Sequence, residues 1–348
     1  MLEIVKSKYL TLTLFVKLYV HPIKALRSVS LPSSVVLATG LQYDRIFMLR
    51  VLKPDSNPPE YDNVHVDQRP EVTLFRTSLD LDNEKVTVTY PASPNDPPRS
   101  LTFSLAPDIS DLEVMEIDMH RSPTKAYAMP EEYSDWFSSC LGYTVVLAYI
   151  GQNRRLPLGS LPPSIPFSNA TRILSYVPLL GAYFSHPIQV APGLSFADCA
   201  AFLVVTEESL NSVSARLPDG LEMDIRKFRG NVVLSGAEEA WDEDWWGELA
   251  VETTEGLPGG DRVTLALTAN CNRCKSINID YSTGRPSEGP LGSILKLLMK
   301  DRRVDMGVKY SPIFGRYGFC SSGWGNIISV GDEVTVIKRN VERTTFGT

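Results

Sequence analysis

The chain has few of the residues that build disulfide frameworks and dedicated metal sites. It holds five cysteines, an odd number, and four histidines, His21, His65, His120 and His186, scattered through 348 residues. That argues against a disulfide-stapled scaffold and points to a reducing compartment. No dedicated transmembrane stretch is evident either: the one candidate, Tyr9 to Val20, is interrupted by Lys17 and falls short of the roughly 20 apolar residues that span a bilayer. It reads as a buried first strand. Positive charge is not in excess, since Lys plus Arg number 34 against 41 Asp plus Glu, a formal charge of -7. A chain-wide nucleic-acid footprint is therefore excluded, while a local basic pocket is not. No internal repeat is visible, and the sequon Asn169-Ala170-Thr171 is expected to stay unmodified in a reducing compartment.

What is present is an ordinary soluble composition, 43% hydrophobic and 22% charged, over a length that suggests two intimately packed halves. Strand-like segments fill the first third: Phe15 to Val20, Arg45 to Leu52, Val72 to Phe75, Lys85 to Tyr90, Ser100 to Leu105 and Val114 to Met119. Pro/Asn/Asp clusters between them suggest an antiparallel sheet or small barrel. Pro130 opens an amphipathic helix carrying Trp136, Phe137, Cys140 and Leu141, followed by a strand from Thr144 to Ile150. A Pro- and Leu-rich connection, residues 151–194, separates this part from a second half over 195–340. There Phe202 to Val205 reads as a buried strand, with Thr206 capping a helix to about Leu217. An acidic-aromatic turn from Trp241 to Glu248, a helix near Pro290 to Lys300, a loop from Tyr310 to Tyr317 and a closing strand from Glu333 to Arg339 complete it. The pattern is α+β, β-rich and barrel-like, with a few helices.

The most informative motif is Cys271-Asn272-Arg273-Cys274, which ends the alternating run Val263 to Asn270. A thiolate is a soft ligand for a transition metal, and Arg273 favours the ionised form. Structural zinc needs four ligands, and no second close Cys/His pair exists. Thioredoxin-like exchange needs a helix after the motif, whereas Lys275 to Asp280 reads as strand. A β-turn with two half-buried thiols and no chemistry is the plain alternative. Lys24, Arg45, Arg229 and Arg273 all fall at strand ends or turns, where they could converge on one anionic group.

The ordered series His21-Pro22-Ile23-Lys24, Gly40 to Arg45, Lys227-Phe228-Arg229-Gly230-Asn231, Cys271 to Cys274, Asp280 to Gly284 and Ser311 to Tyr317 resembles the MOSC-domain family with its N-terminal β-barrel domain, and within it the amidoxime-reducing type of molybdenum-cofactor enzyme. The resemblance runs from about residue 13 to 340. It implies an N-terminal β-barrel-like domain over 13–150 packed on a MOSC β-barrel domain over 195–340. It implies that Cys274 ligates molybdenum, and that Lys24, Arg45, Cys199, Arg229, Asn231, Asn272, Arg273 and Tyr317 lie where the family holds the molybdopterin and its phosphate. Cys271 is then a neighbour whose substitution should cost little. Ala25, the Cys199-Ala200 pair and Asn272 replace hydroxyl residues of the relatives, removing hydrogen bonds at the periphery of the cofactor.

The activity implied is reduction of N-hydroxylated compounds (amidoximes, hydroxylamines, nitrite as a further case). Electrons would come from a separate protein, cytochrome b5 with its NADH-dependent flavin reductase, because no cysteine cluster for an iron–sulfur domain is present. Asp198 is a weak candidate for a proton donor, and the location implied is cytoplasmic or at the mitochondrial outer membrane. The alternative is a non-catalytic carrier of the cofactor, related to the C-terminal domain of molybdenum-cofactor sulfurases. The pyridoxal-phosphate domain of those sulfurases has no room here.

Overall fold

The computed structural model describes residues 12–91, 97–157, 193–218, 220–253 and 262–347. Most of the apolar connection, with Asn169 and His186, lies outside them.

Seven strands close a barrel in the second half. Val232–Ser235 runs parallel to Phe202–Thr206, and antiparallel neighbours follow in the order Ile313–Ser322, Arg262–Asn272, Trp246–Glu252, Glu333–Arg339 and Leu12–Val20. The last of these pairs back onto the first, with Leu18 opposite Val232, so the barrel has no open edge there. Alternation explains the closure: Leu18 and Val20, Leu249 and Val251, Leu265 and Leu267, and Val334 and Val336 all enter one core at spacing two. Each such side chain contributes about 1.5–3 kcal/mol of burial. Phe202–Thr206 is buried on both faces, because Val205 turns outward under Val213 and Phe228. That is why its sequence is a continuous apolar run.

The first half holds a five-stranded sheet in the order Val114–Met119, Ser122–Ala128, Val145–Tyr149, Phe47–Leu52 and Tyr61–Asn63. A three-stranded sheet, Arg76–Asp80, Lys85–Tyr90 and Arg99–Ser104, and the helix Glu131–Leu141 share its core through Phe47, Leu49, Val86, Phe103, Phe137 and Leu147. The β-rich α+β expectation holds: the described residues contain three α-helices, Glu131–Leu141, Glu207–Ser214 and Ile294–Leu298.

Several local expectations are corrected. The first strand leaves the first-third sheet and completes the second-half barrel, because its inward Leu18 and Val20 match that core. Val72 to Phe75 is not a strand: Pro70 starts a 3-10 turn, Pro70–Leu74, whose Thr73 hydroxyl donates back to the Pro70 carbonyl at 2.7 Å. Lys275–Asn278 is likewise a 3-10 turn rather than a strand, with Ser276 and Ile277 buried side by side and the Ile279 amide donating back to the Ser276 carbonyl. Trp246–Glu252 is a strand rather than part of a turn, and the supposed loop at Tyr310 to Tyr317 contains the start of Ile313–Ser322. Gly315 hid that strand. It sits at φ 82°, where a Cβ would come within 2.8 Å of the Val204 carbonyl oxygen, so only glycine lets the two strands approach.

Candidate functional site

The mouth of the barrel facing the first half is a cleft of two adjoining hollows, about 550 and 450 Å³, that share Arg45, Asp198, Arg229, Cys274 and Ser276. Four elements supply it. The turn after Val20 brings Lys24. The turn before Phe47–Leu52 brings Arg45, the 3-10 turn Ile225–Phe228 brings Arg229 as its C-cap, and the end of Arg262–Asn272 brings Arg273 and Cys274. Ala25, Arg45 and Arg229 all have left-handed backbone, at φ 73°, 52° and 57°. Such conformations cost about 1 kcal/mol or more each in a non-glycine residue, and they gather where side chains must be aimed.

The four cations are not equally compensated. Arg45 pairs with the buried carboxylate of Asp44, and its Nη2 donates to the Arg229 carbonyl at 3.1 Å. Burial alone would raise Asp44, but the Arg45 guanidinium and His21 beside it bring its pKa down to about 2. Buried His21, pushed down to about 3 mainly by burial, is neutral. Lys24 is 6% exposed, donates to the Phe196 carbonyl at 3.1 Å and pairs with Asp198. Burial works against the charge of Lys24, whereas Asp198, despite desolvation, is held well below the carboxylate range by that ammonium.

Arg229 and Arg273 have no carboxylate within ion-pair distance among the described residues. Arg229 donates to the Leu26 carbonyl at 2.9 Å, and Arg273 donates to the Phe228 carbonyl at 2.7 Å and to the Cys271 sulfur at 2.9 Å. Among the described residues the buried Nη2 of Arg229 and the buried Nε of Arg273 have no hydrogen-bond partner. Two guanidinium groups without counter-charge, one on half-buried Arg229 with a buried Nη2 and one on buried Arg273, are costly unless an anion joins them.

The remaining candidates lie in or against this cleft. Asn231 is buried, its Oδ1 accepting from the Leu203 amide at 3.2 Å and from Arg45 Nη1 at 3.4 Å and its Nδ2 donating to the Tyr19 carbonyl at 3.2 Å, so it ties the Arg45 guanidinium to two strands of the barrel. Asn272 lines the cleft half-buried. Tyr317 is raised well above the usual phenol value by burial and by the neighbouring Cys271 and Cys199, and Cys199 is pushed up to about 12 by burial and Asp198. Both therefore stay protonated at neutral pH. Cys199 does not line either hollow directly; it sits behind Asp198 against Tyr317.

The two thiols of the motif differ sharply. Cys271 is 2% exposed, whereas Cys274 is exposed to the cleft, 3.1 Å from the Ser276 hydroxyl. Among the described residues no three His, Cys, Asp or Glu side chains gather to hold a metal ion. A metal here would therefore take one protein thiolate, with its other ligands from a bound group. An exposed soft ligand beside two uncompensated guanidinium groups fits a metal carried on an anionic, phosphate-bearing cofactor.

Sequence reading missed three contributors. Buried Arg155 donates to the Ser195 carbonyl at 3.2 Å, to the Asp198 carbonyl at 3.1 Å and to that of Ala197, pinning the segment that carries Asp198 and Cys199. His65 and His120, far apart in sequence, meet at the rim with ring centroids 5.8 Å apart, and His120 Nε2 lies 4.0 Å from Asp198. Neither had a local motif to reveal it. Asp198 itself is an ionised partner of Lys24, which argues against the proton-donor role considered for it.

Residues 192–335 match the MOSC domain family, and residues 13–144 match the MOSC N-terminal beta barrel domain. The chain is similar to Mitochondrial amidoxime-reducing component 1 of Mus musculus, at 25% identity over 326 residues, covering 92% of this chain and 81% of that protein. Its human counterpart is 31% identical over 145 residues, 41% of this chain and 39% of that protein. Molybdenum cofactor sulfurase of Oryza sativa subsp. japonica is 24% identical over 299 residues, 83% of this chain but 31% of that protein, so the chain spans about a third of the sulfurase's length. Among the described residues no helix is long and apolar enough to cross a membrane.

Proposed function

The chain belongs to the MOSC-domain family, in the form that carries an N-terminal MOSC β-barrel domain, and from that membership we propose that it is a molybdenum-cofactor-dependent oxidoreductase that reduces N-hydroxylated compounds. The observation that carries the reading is the exposed Cys274 thiol in one cleft with half-buried Arg229 and buried Arg273, two cations that lack a carboxylate partner among the described residues.

Bound there, the molybdenum cofactor would supply the two-electron redox chemistry. Cys274 would hold the metal. Arg229 and Arg273 would take the phosphate, with Lys24 and Arg45, already paired with Asp198 and Asp44, adding to the positive field around the pterin. Asn231 would position Arg45, Asn272 would border the pterin, and Tyr317 would present a neutral O–H donor to the cleft, with the neutral Cys199 thiol packed behind it. Reduction of a hydroxylamine needs two electrons and two protons and yields the amine and water. The electrons would come from a separate one-electron donor protein, for which cytochrome b5 with its flavin reductase is the proposed pair. The buried walls exclude bulk water, and Arg155 keeps the Ala197–Cys199 segment in place while substrates exchange.

The test is turnover of benzamidoxime with an artificial one-electron donor by protein produced in a cofactor-competent host. Reduction that disappears in Cys274→Ala supports the proposal. Full cofactor loading without reduction by any donor would favour the second reading, a cofactor carrier, which the similarity to a molybdenum cofactor sulfurase supports. Protein free of molybdenum from such a host would sink both.

A further inference from the structure

On the seam between the halves, separate from the cleft, an open hollow of about 650 Å³ is lined by Arg27, Ser28, Arg76, Thr77 and Arg226. Three of its five walls are guanidinium groups and two are hydroxyls; none is a carboxylate. In a chain of formal charge -7 this is a strong local reversal of sign.

Two of the three cations, Arg27 and Arg226, are held in place by hydrogen bonds. Arg27 donates through Nε to the Thr73 carbonyl at 2.6 Å and through Nη2 to the Tyr281 carbonyl, and its own carbonyl accepts from the Thr77 hydroxyl at 2.8 Å. Arg226 is oriented by Asp224, which accepts from its Nη2 at 2.7 Å and offsets its charge. Arg76, exposed at the start of Arg76–Asp80, has no ion-pair partner among the described residues. The Ser28 hydroxyl oxygen is buried with no hydrogen-bond partner. Burial first, then Arg76 and Arg226, disfavours the charge on Arg27, as expected of cations converging without an anion. One carboxylate against three guanidinium groups leaves two positive charges, and Ser28, whose buried hydroxyl has no partner among the described residues, lines the same hollow.

We propose that this hollow is a binding site for a phosphoryl-class oxyanion, as inorganic phosphate or the phosphate of a monoester. A dianion matches the residual charge of two, guanidinium forks suit its tetrahedral oxygens, and Ser28 supplies a neutral donor. The hollow is open, so the group that carries the phosphate can extend into solvent. The site is distinct from the cleft: Arg229 holds the Leu26 carbonyl from the cleft side, and the next residue, Arg27, faces the hollow. It does not depend on the proposed redox activity.

The test is titration of the full chain, labelled with 15N-arginine, with inorganic phosphate at low ionic strength, following the arginine side-chain resonances. Saturable shifts of Arg27, Arg76 and Arg226 are expected, with affinity falling about tenfold in Arg76→Ala and lost in Arg76→Glu. Among the described residues Arg76 has no hydrogen bond through its side chain, and it lies outside the cleft, so these variants are expected to keep the fold and the cleft's own anion affinity. A phosphate monoester and vesicles of phosphatidylinositol phosphate in phosphatidylcholine are run in parallel. Arg76-dependent binding of the soluble anions assigns a soluble ligand, and Arg76-dependent binding to the vesicles alone assigns a lipid headgroup. Binding unchanged in Arg76→Glu, or absent with all three probes, overturns the proposal.

Discussion

Arg273 Nη1 lies 2.9 Å from the sulfur of Cys271, so the buried thiol of the motif supports the guanidinium while the exposed thiol of Cys274 remains directed to the cleft. This makes Cys271 more than a bystander. In Cys271→Ala one guanidinium N–H loses its acceptor in a buried setting, at a cost of about 1–3 kcal/mol. Cys271→Ser keeps an acceptor and should recover part of it. Urea unfolding of the three proteins checks this order; equal stability would return Cys271 to the minor role expected from sequence.

Cys274→Ala removes an exposed side chain, so stability should change by no more than about 0.5 kcal/mol. Residues that merely support metal ligands cost about 10- to 100-fold in affinity when removed, and a direct ligand should cost at least as much. Molybdenum content and reductase activity are expected to fall together. Retained metal in a folded Cys274→Ala protein would point to another ligand.

Arg229→Ala should act in opposite directions on the two states. The cofactor-free protein loses a half-buried, partly unpaired cation and is expected to be as stable as the parent or more so. Cofactor affinity should drop by about 10- to 100-fold, the equivalent of a charge-assisted hydrogen bond of about 1.5–3 kcal/mol. Thermal unfolding of the cofactor-free forms and cofactor retention through gel filtration are the two measurements. A parallel loss of both would mark Arg229 as a structural residue.

Glu243 supplies a pH test away from the cleft. It is fully buried, its Oε2 accepts from the Ser209 hydroxyl at 2.8 Å and from Thr206 at 3.0 Å, and burial with the neighbouring Asp244 raises its pKa to about 7. The unfolded value is about 4.3. Between these values the folded state holds a proton that the unfolded state has released, so this group's contribution is complete below about pH 4.3. It is lost as pH rises through about 7. Glu243→Gln stays neutral, and its stability relative to the parent should therefore increase from pH 5 to pH 8. Equal pH slopes in urea unfolding would show that Glu243 is ionised throughout.

Much of the fold was legible wherever one periodicity acted alone. Lys85–Tyr90, Val114–Met119 and Glu333–Arg339 have the bounds their alternation indicates, and Thr206 caps Glu207–Ser214 through the Ser209 amide at 3.3 Å. The reading failed where a backbone constraint outranked pattern, as with Pro70 and Gly315, and where consecutive buried residues masked a 3-10 turn, as at Ser276 and Ile277. In the site, the cationic candidates were visible because Lys and Arg at turns stand out. Arg155, His65 and His120 were not, since their roles come from contacts with segments tens of residues away.

The amino-acid sequence by itself determined the β-rich class and the pairing of two thiols with an arginine at a strand end, because these are properties of neighbouring residues. Only the tertiary structure decided that the first strand belongs to the second-half barrel and that Lys24, Arg45, Arg229 and Arg273 meet in one cleft. It also decided that the two cysteines are unequal. Convergence depends on strand register and burial, and burial decides which thiol is held by Arg273 and which is free to meet a ligand.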